Sequence, residues 1–407
     1  MVSVCGIRWS WSYLMMYWSA VDGGRTRWFV GEQMMAVTLD VQCLVKDFSS
    51  GRPAVDQVSF QIPTGEITVL LGPSGCGKTT TLRCVAGLEH PTAGQIVIDE
   101  QVVSAPLKGI SVAPRHREVG MVFQSYAVWP HMTVKQNVAY PLKHRGIDKK
   151  EIEHKVTQAL ELVDLLEYAD RPATSLSGGQ MQRVALARSL SYQPKILLLD
   201  EPLSNLDAKL RLRLRADLRR IIKQAGLTAL YVTHDQSEAV VLGDQIGVMN
   251  QGKLLQMGTP QQIYNQPSAL FVASFTGASN ALHGTVVNHD GADHVVELAQ
   301  GAKVRARCLT TLSQGQAVVI AVRPENISLT AQATQASLPV RVRQLQFLGV
   351  QTNYELEVFG QTLEVTELGT APRFEAGAEV FMTLPPEQCW GYPEYAPSGM
   401  TPRLSVR

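Results

Sequence analysis

Nowhere in the 407 residues does an apolar run reach the roughly 20 residues of a bilayer-spanning helix, so work at a membrane would have to pass through a partner. The six cysteines (Cys5, Cys43, Cys76, Cys84, Cys308, Cys389) lack C-x-x-C spacing, which argues against a zinc site or a disulfide framework and fits a reducing cytosol. Neither sign of charge predominates. With 37 basic and 36 acidic residues the net charge is +1, so bulk electrostatics give no reason to expect nucleic acid or an anionic surface as partner. Any phosphate chemistry has to come from a local site. Low-complexity tracts and fixed-period repeats are absent as well.

What is there is ordinary globular usage, 45% hydrophobic and 18% charged, in a length that suits two or three domains. Residues 1–34 have another texture, with Trp9, Trp11, Trp18 and Trp28 supplying four of the six tryptophans. The apolar stretch 9–20 is broken by serines and followed by no clear small-residue cleavage site. It is read as a non-core extension from a mis-assigned upstream start, with Met34 or Met35 opening the folded protein.

From 36 to 275, β-rich runs alternate with helical ones, the pattern of an α/β domain. Val69-Leu70-Leu71, Ile196-Leu197-Leu198-Leu199 and Ala229-Leu230-Tyr231-Val232 read as buried parallel strands, each ending in polar residues where such sheets bind ligands. Helical periodicity marks 149–168 (Ile152, Val156, Ala159, Leu160, Val163) and 180–190, within a helical subdomain at about 125–190. Beyond Leu282 short alternating strands take over, with turns at Asp290-Gly291 and Gly360-Gln361. The span 282–407 is read as a small all-β domain of OB type.

The chemistry begins at Gly72-Pro73-Ser74-Gly75-Cys76-Gly77-Lys78-Thr79, a G-x-x-x-x-G-K-[ST] loop between a strand and the helical run 80–87. Glycines let backbone N–H groups close around a phosphate chain at the positive end of a helix. Lys78 supplies a mobile charge for the β- and γ-phosphates, and Thr79 a hydroxyl for magnesium. Leu199-Asp200-Glu201-Pro202 ends an apolar strand with two carboxylates, the first suited to hold magnesium through water and the second to orient an attacking water. Leu176-Ser177-Gly178-Gly179-Gln180 then offers a hydroxyl and free backbone donors at the start of another helix, a second phosphate-binding end in the same chain. One compact domain cannot grip one nucleotide twice, so these residues point to a two-fold dimer in which each nucleotide is shared.

On these motifs, 36–275 resembles the ABC ATPase family, a P-loop NTPase fold with a helical subdomain. The resemblance implies ATP and Mg2+ as cofactors. It makes Gln124 the Q-loop residue, Ser204-Asn205-Leu206-Asp207 the D-loop, Thr233-His234-Asp235 the switch-histidine segment, and Phe48 the aromatic that stacks on adenine, where Tyr is more usual. Nucleotide contacts are then implied for Phe48, 72–79, Thr80, Gln124, 177–180, Asp200 and Asp207. Magnesium falls to Thr79, Gln124 and Asp200, and catalysis to Glu201 with His234. Each element also has a plainer reading: Phe48 and Trp129 as core, His234 as a structural histidine, and the basic cluster 211–220 as a solvated helix face. Their joint occurrence in family order carries the weight, and the interval from Lys78 to Ser177 has no room for a long inserted coiled coil.

Val322-Arg323-Pro324-Glu325-Asn326-Ile327 and the junction Phe275-Thr276-Gly277-Ala278-Ser279-Asn280 resemble the C-terminal OB-type (TOBE) regulatory domain of bacterial solute-importer ATPases. That subgroup implies a second ATPase subunit as homodimer partner and membrane permease subunits docked through 124–134, with Trp129 as anchor. It also implies a periplasmic or lipid-anchored solute-binding protein acting indirectly, no nucleic-acid partner, and a peripheral place on the cytoplasmic face of the cell membrane. The wording Trp129-Pro130-His131-Met132-Thr133 and the junction from Gly277 to Asn280 look more like ferric-iron, polyamine or phosphonate importers than sugar importers, and ferric iron ranks first. Three rivals stand beside this reading. A non-transport ABC ATPase acting on nucleic acid or ribosomes usually has two cassettes or a long insertion. An exporter ATPase fits poorly with the β domain. A metabolic P-loop kinase has no use for 176–180.

Overall fold

The computed structural model describes residues 19–22, 25–30, 33–49, 51–277, 280–290, 293–334, 337–358 and 360–394. Of the N-terminal extension, Ser19–Asp22, Arg25–Val30 and Gln33–Met35 pair as three antiparallel strands. Trp9, Trp11, Trp18, the side chain of Trp28, the Ala278-Ser279 part of the junction and Gly291 lie outside the described residues. The chain forms two compact units, Met1–Pro260 and Gln261–Arg407.

The first unit is built on six strands in the order Val119–Val122, Ile196–Asp200, Thr228–Thr233, Ile67–Leu71, Gln245–Asn250 and Lys253–Gly258. The first five run parallel and the last antiparallel. Ile67–Leu71, Ile196–Asp200 and Thr228–Thr233 are buried at every position, which is why they read as unbroken apolar runs instead of alternating ones. Each fully buried aliphatic side chain there stabilises the fold by roughly 1.5–3 kcal/mol. A five-stranded antiparallel sheet, containing Val37–Lys46 and Val55–Pro63, adds Leu39, Val41, Leu44, Val58 and Ile62 to the same core.

Helix α1 (Lys78–Ala86) leaves the sheet behind Leu71, starting two residues before the expected 80–87 run and stopping at Gly87. Gly87 sits at φ +80°, and a Cβ there would strike the Arg117 guanidinium, which caps the helix by donating to the carbonyls of Cys84 and Val85. The helical subdomain holds α2 (Val134–His144), α3 (Lys149–Leu162) and α4 (Gly178–Leu190). Helix α3 ends at Leu162, short of the expected 168, because Asp164 turns left-handed at φ +56° and breaks the hydrogen-bond ladder. Helices α5 (Ala208–Gln224) and α6 (Gln236–Leu242) follow the second and third of the central parallel strands.

The second unit contains a closed five-stranded barrel and a separate five-stranded sheet, so the β region is more than one barrel. Strand Asn280–Asp290 pairs with Asp293–Leu298 across a register shift between Val286 and Asn288, and Gln351–Val358 pairs in continuous register with Gln361–Leu368, the two hairpins expected from the turn residues. The buried Arg323 lies 3.7 Å from the Tyr264 ring and donates to the Tyr264 carbonyl and to Thr276 Oγ1. The Val322-Arg323-Pro324-Glu325 element therefore pins 264–276 to the barrel by hydrogen bonds that burial makes expensive to lose.

Candidate active site

Four loops leave the carboxyl ends of four adjacent parallel strands, the place where open α/β sheets bind ligands. They carry Gly72 after Leu71, His234 after Thr233, Glu201 after Asp200 and Gln124 after Phe123. The register sets Leu71 beside Thr233, Val232 beside Asp200, and Leu199 beside Val122, so residues far apart in sequence become lateral neighbours.

In the phosphate loop, Gly75 and Gly77 take φ +78° and +104°, conformations that side chains oppose. A Cβ on Gly77 would come within 2.3 Å of the Ala54 carbonyl oxygen, whereas one on Gly75 would meet nothing. The loop is therefore tight against its own domain and open on the outer side, as a phosphate cradle requires. Gly77 is also the N-cap of α1, which leaves that helix's first amides facing the loop. The buried Lys78 Nζ donates to the carbonyls of Gly72 (2.8 Å) and Pro73 (2.9 Å), holding a positive charge inside the turn.

Thr79 Oγ1 donates to Asp200 Oδ1 at 3.0 Å, so the structure unites two of the three residues assigned to magnesium. The donors are oxygens alone, which suits a hard divalent cation. Burial pushes the Asp200 carboxyl above its ordinary range, with the Thr79 hydrogen bond acting in the opposite direction. The Gln124 side chain is exposed, and its backbone carbonyl accepts from Asn205 Nδ2 at 2.9 Å.

Glu201 faces His234, with Oε2 and Nδ1 3.1 Å apart. Its backbone turns through φ +46°, which costs a non-glycine residue about 1–3 kcal/mol. Three contacts hold it there. Its N–H donates to the Val232 carbonyl, and its own carbonyl accepts from the amide and the hydroxyl of Ser204. Asp207 caps α5 by accepting from the Leu210 amide.

Ser177 is the N-cap of α4. Its Oγ accepts from the Gln180 amide, and Gln180 Oε1 accepts from the Ser177 amide. The expectation of free donors is thereby narrowed: the cap occupies the Ser177 and Gln180 amides and leaves those of Gly178 and Gly179 at the open helix end. The Ser177 oxygen acts only as acceptor in the cap, which leaves its hydroxyl proton available to a further acceptor. Phe48 is 52% exposed, which removes the core reading and leaves a free aromatic face; Lys46 Nζ lies 4.6 Å from its ring.

Several functional contacts were invisible in the sequence. Arg188 of α4 donates to the carbonyls of Tyr126 and Ala127, both left-handed, and stacks over Trp129 at 4.7 Å. Trp129 also meets Tyr140 at 4.3 Å, so it is a half-buried residue braced on α2 and α4 and not plain core. The basic run 211–220 is solvated only in part: Arg213 and Arg220 are exposed as expected, whereas Arg215 is buried against Asp235, Arg211 pairs with the same carboxylate, and Arg219 pairs with Asp244. Those acids lie on the loops flanking α6, which packs along this side of α5, so burial and ion pairing replace solvation. Beneath them the buried Glu238 accepts from the hydroxyls of Tyr231 and Thr233, both at 2.8 Å, and burial raises its carboxyl above the usual range.

Residues 55–204 match the family model described as ABC transporter, and residues 320–391 the TOBE domain. The trehalose/maltose import ATP-binding protein MalK of Thermococcus litoralis is 44% identical, over 80% of this chain and 90% of its own. The Fe(3+) ions import ATP-binding protein FbpC of Photorhabdus laumondii is also 44% identical, over 82% and 91%. The spermidine/putrescine import ATP-binding protein PotA 2 of Pseudomonas aeruginosa is 45% identical, over 80% and 91%. Among solved structures, cbiO1 of Clostridium perfringens, part of the ABC transporter complex cbiONQ, aligns with a TM-score of 0.51 at 31% identity. It covers 56% of this chain and 90% of its own.

Proposed function

This chain belongs to the ABC transporter family as an import ATPase with a TOBE domain, and from that premise we propose that two copies bind two Mg-ATP between them and drive a membrane permease. The observation that carries the reading is the convergence of Thr79 on Asp200 and of Glu201 on His234 at adjacent strand ends. Each nucleotide would lie between the phosphate loop of one copy and the 176–180 segment of the other, with its adenine on Phe48. Such stacking is worth roughly 1–3 kcal/mol. A magnesium ion held by Thr79, Asp200 and Gln124 would draw charge from the β- and γ-phosphate oxygens. Glu201 positions the attacking water and takes its proton, and His234 aligns the γ-phosphate from the neighbouring strand end. Lys78 stabilises the charge that develops there.

Among the described residues no helix is long and apolar enough to cross a membrane, and the proposed place is the cytoplasmic face of the cell membrane. The permease groove would run along 124–134, with a solute-binding protein acting on the far side. Trp129→Ala is expected to uncouple solute uptake while leaving basal ATPase activity intact. Because the ring is only half buried and Arg188 still clamps the segment, the stability loss should fall below the roughly 3–5 kcal/mol of a fully buried aromatic. Unchanged uptake in vesicles carrying the variant would remove Trp129 from the docking surface.

The relatives divide among sugar, ferric-iron and polyamine import at nearly equal identity. Ferric iron is the solute proposed first, on the wording of 129–133. Uptake of labelled ferric iron, spermidine and maltose by vesicles with and without this chain tests the choice. Chain-dependent accumulation of either competitor and not of iron would reject it.

A further inference from the structure

Arg211, on the first turn of α5, reaches two places at once. Its Nη2 donates to the carbonyls of Leu206 (3.0 Å) and Ser204 (3.4 Å), the backbone of the 204–207 loop. Its Nη1 lies 3.5 Å from Oδ2 of Asp235, the residue immediately after His234. The same loop holds the Glu201 carbonyl through Ser204 and the Gln124 carbonyl through Asn205. Asp235 in turn caps α6 by accepting from the Glu238 amide, and its own amide donates to Thr233 Oγ1. One guanidinium therefore spans the loop that follows the catalytic glutamate and the segment that bears the histidine.

We propose that Arg211 is a positioning residue for hydrolysis, which couples the 204–207 loop to His234 by way of Asp235. The inference rests on the roles given above to Glu201 and His234. An arginine suits the task because its planar fork holds several donors in fixed directions, so a shift of the loop carbonyls moves the end of the fork that faces the carboxylate. A lysine ammonium at this position could serve the carbonyls or the acid, not both in line. The geometry also leaves play in one direction. Arg211 Nε is buried, has no hydrogen-bond partner among the described residues, and stands 4.0 Å from Glu238 Oε1. A movement of about 1 Å would bring that pair into hydrogen-bond range. The groups facing Arg211 are Asp235 and Glu238, with Arg215 sharing Asp235 from the next turn of α5. The site thus has a second arrangement close at hand.

The test is a double-mutant cycle on the full-length chain, read as kcat and KM for Mg-ATP. Arg211→Ala is expected to lower kcat on the order of tenfold, with KM changed less than about twofold. In a His234→Ala background the same substitution should have no further effect, because the route it acts through is already cut. Arg211→Lys should fold as the parent does, by thermal unfolding, and fail to restore kcat. If Arg211→Ala does not fold, Arg211→Gln takes its place, since it keeps a donor for the Leu206 carbonyl and loses the charge toward Asp235. Parental kcat in a folded variant, multiplying losses in the cycle, or full rescue by lysine would each overturn the proposal. A His234→Ala protein with parental turnover would instead sink the role of His234. Arg211 would then be judged against Asp235→Asn, whose loss should match that of Arg211→Ala and not multiply with it.

Discussion

Replacing Glu201 by Gln is expected to slow ATP hydrolysis by roughly 10²–10⁴ while nucleotide binding survives. The side chain keeps its length, and an amide can still pair with His234 Nδ1 across the 3.1 Å contact, because either end of the amide finds a matching ring tautomer. What disappears is the base. The repulsion between a carboxylate and the γ-phosphate goes with it, so ATP should hold two chains together through paired phosphate-loop and 176–180 contacts. Light scattering with Mg-ATP is expected to report a dimer for Glu201→Gln and a monomer once Ser177→Arg is added. The bulky cation would break the cap that Ser177 forms on α4 and fill the open helix end. Parental turnover in the glutamine variant would exclude Glu201 as the base, and a dimer indifferent to Ser177 would exclude the shared nucleotide.

Lys78→Ala should be more severe for binding. The ammonium sits inside the turn on the carbonyls of Gly72 and Pro73, so its loss removes the charge meant for the phosphates and leaves two inward carbonyls facing them. A charge-assisted hydrogen bond is worth about 1.5–3 kcal/mol, which is on the order of 10- to 100-fold in affinity. Removing a stabiliser of developing charge takes about another 10²–10³ from turnover. Lys78→Arg is not expected to restore activity, because the buried cradle around Gly72 and Cys76 was shaped to a slim stem and a point charge. Titration with a fluorescent ATP analogue, alongside phosphate release, separates the two losses; near-parental values in both would remove Lys78 from the site.

Reading sequence into structure is most direct where a feature is local along the chain. The phosphate loop, the Asp200-Glu201 pair and the Ser177 cap are each contained in a few consecutive residues, and backbone geometry fixes what such residues can do. It failed where partners meet across the sheet. Nothing in the order of residues says that Asn205 reaches the carbonyl of Gln124, or that Arg211 and Arg215 turn inward to Asp235. The basic run 211–220 looked solvated because charge along a helix does not reveal which neighbour covers it. Similarly, alternating strands beyond Leu282 announced a β fold but not its division into a barrel and a second sheet, since period-two patterning specifies faces and leaves strand order open.

The left-handed turn at Glu201 also bears on how this protein would respond to selection in the laboratory. Its backbone conformation is one that glycine adopts freely and glutamate only under restraint. A search guided by heat resistance alone would favour glycine at that position, gaining stability as it discarded the proton acceptor. Resistance to unfolding and competence for turnover pull this residue in opposite directions. Evolution toward a sturdier version of the chain would have to begin elsewhere and leave the strain at 201 in place.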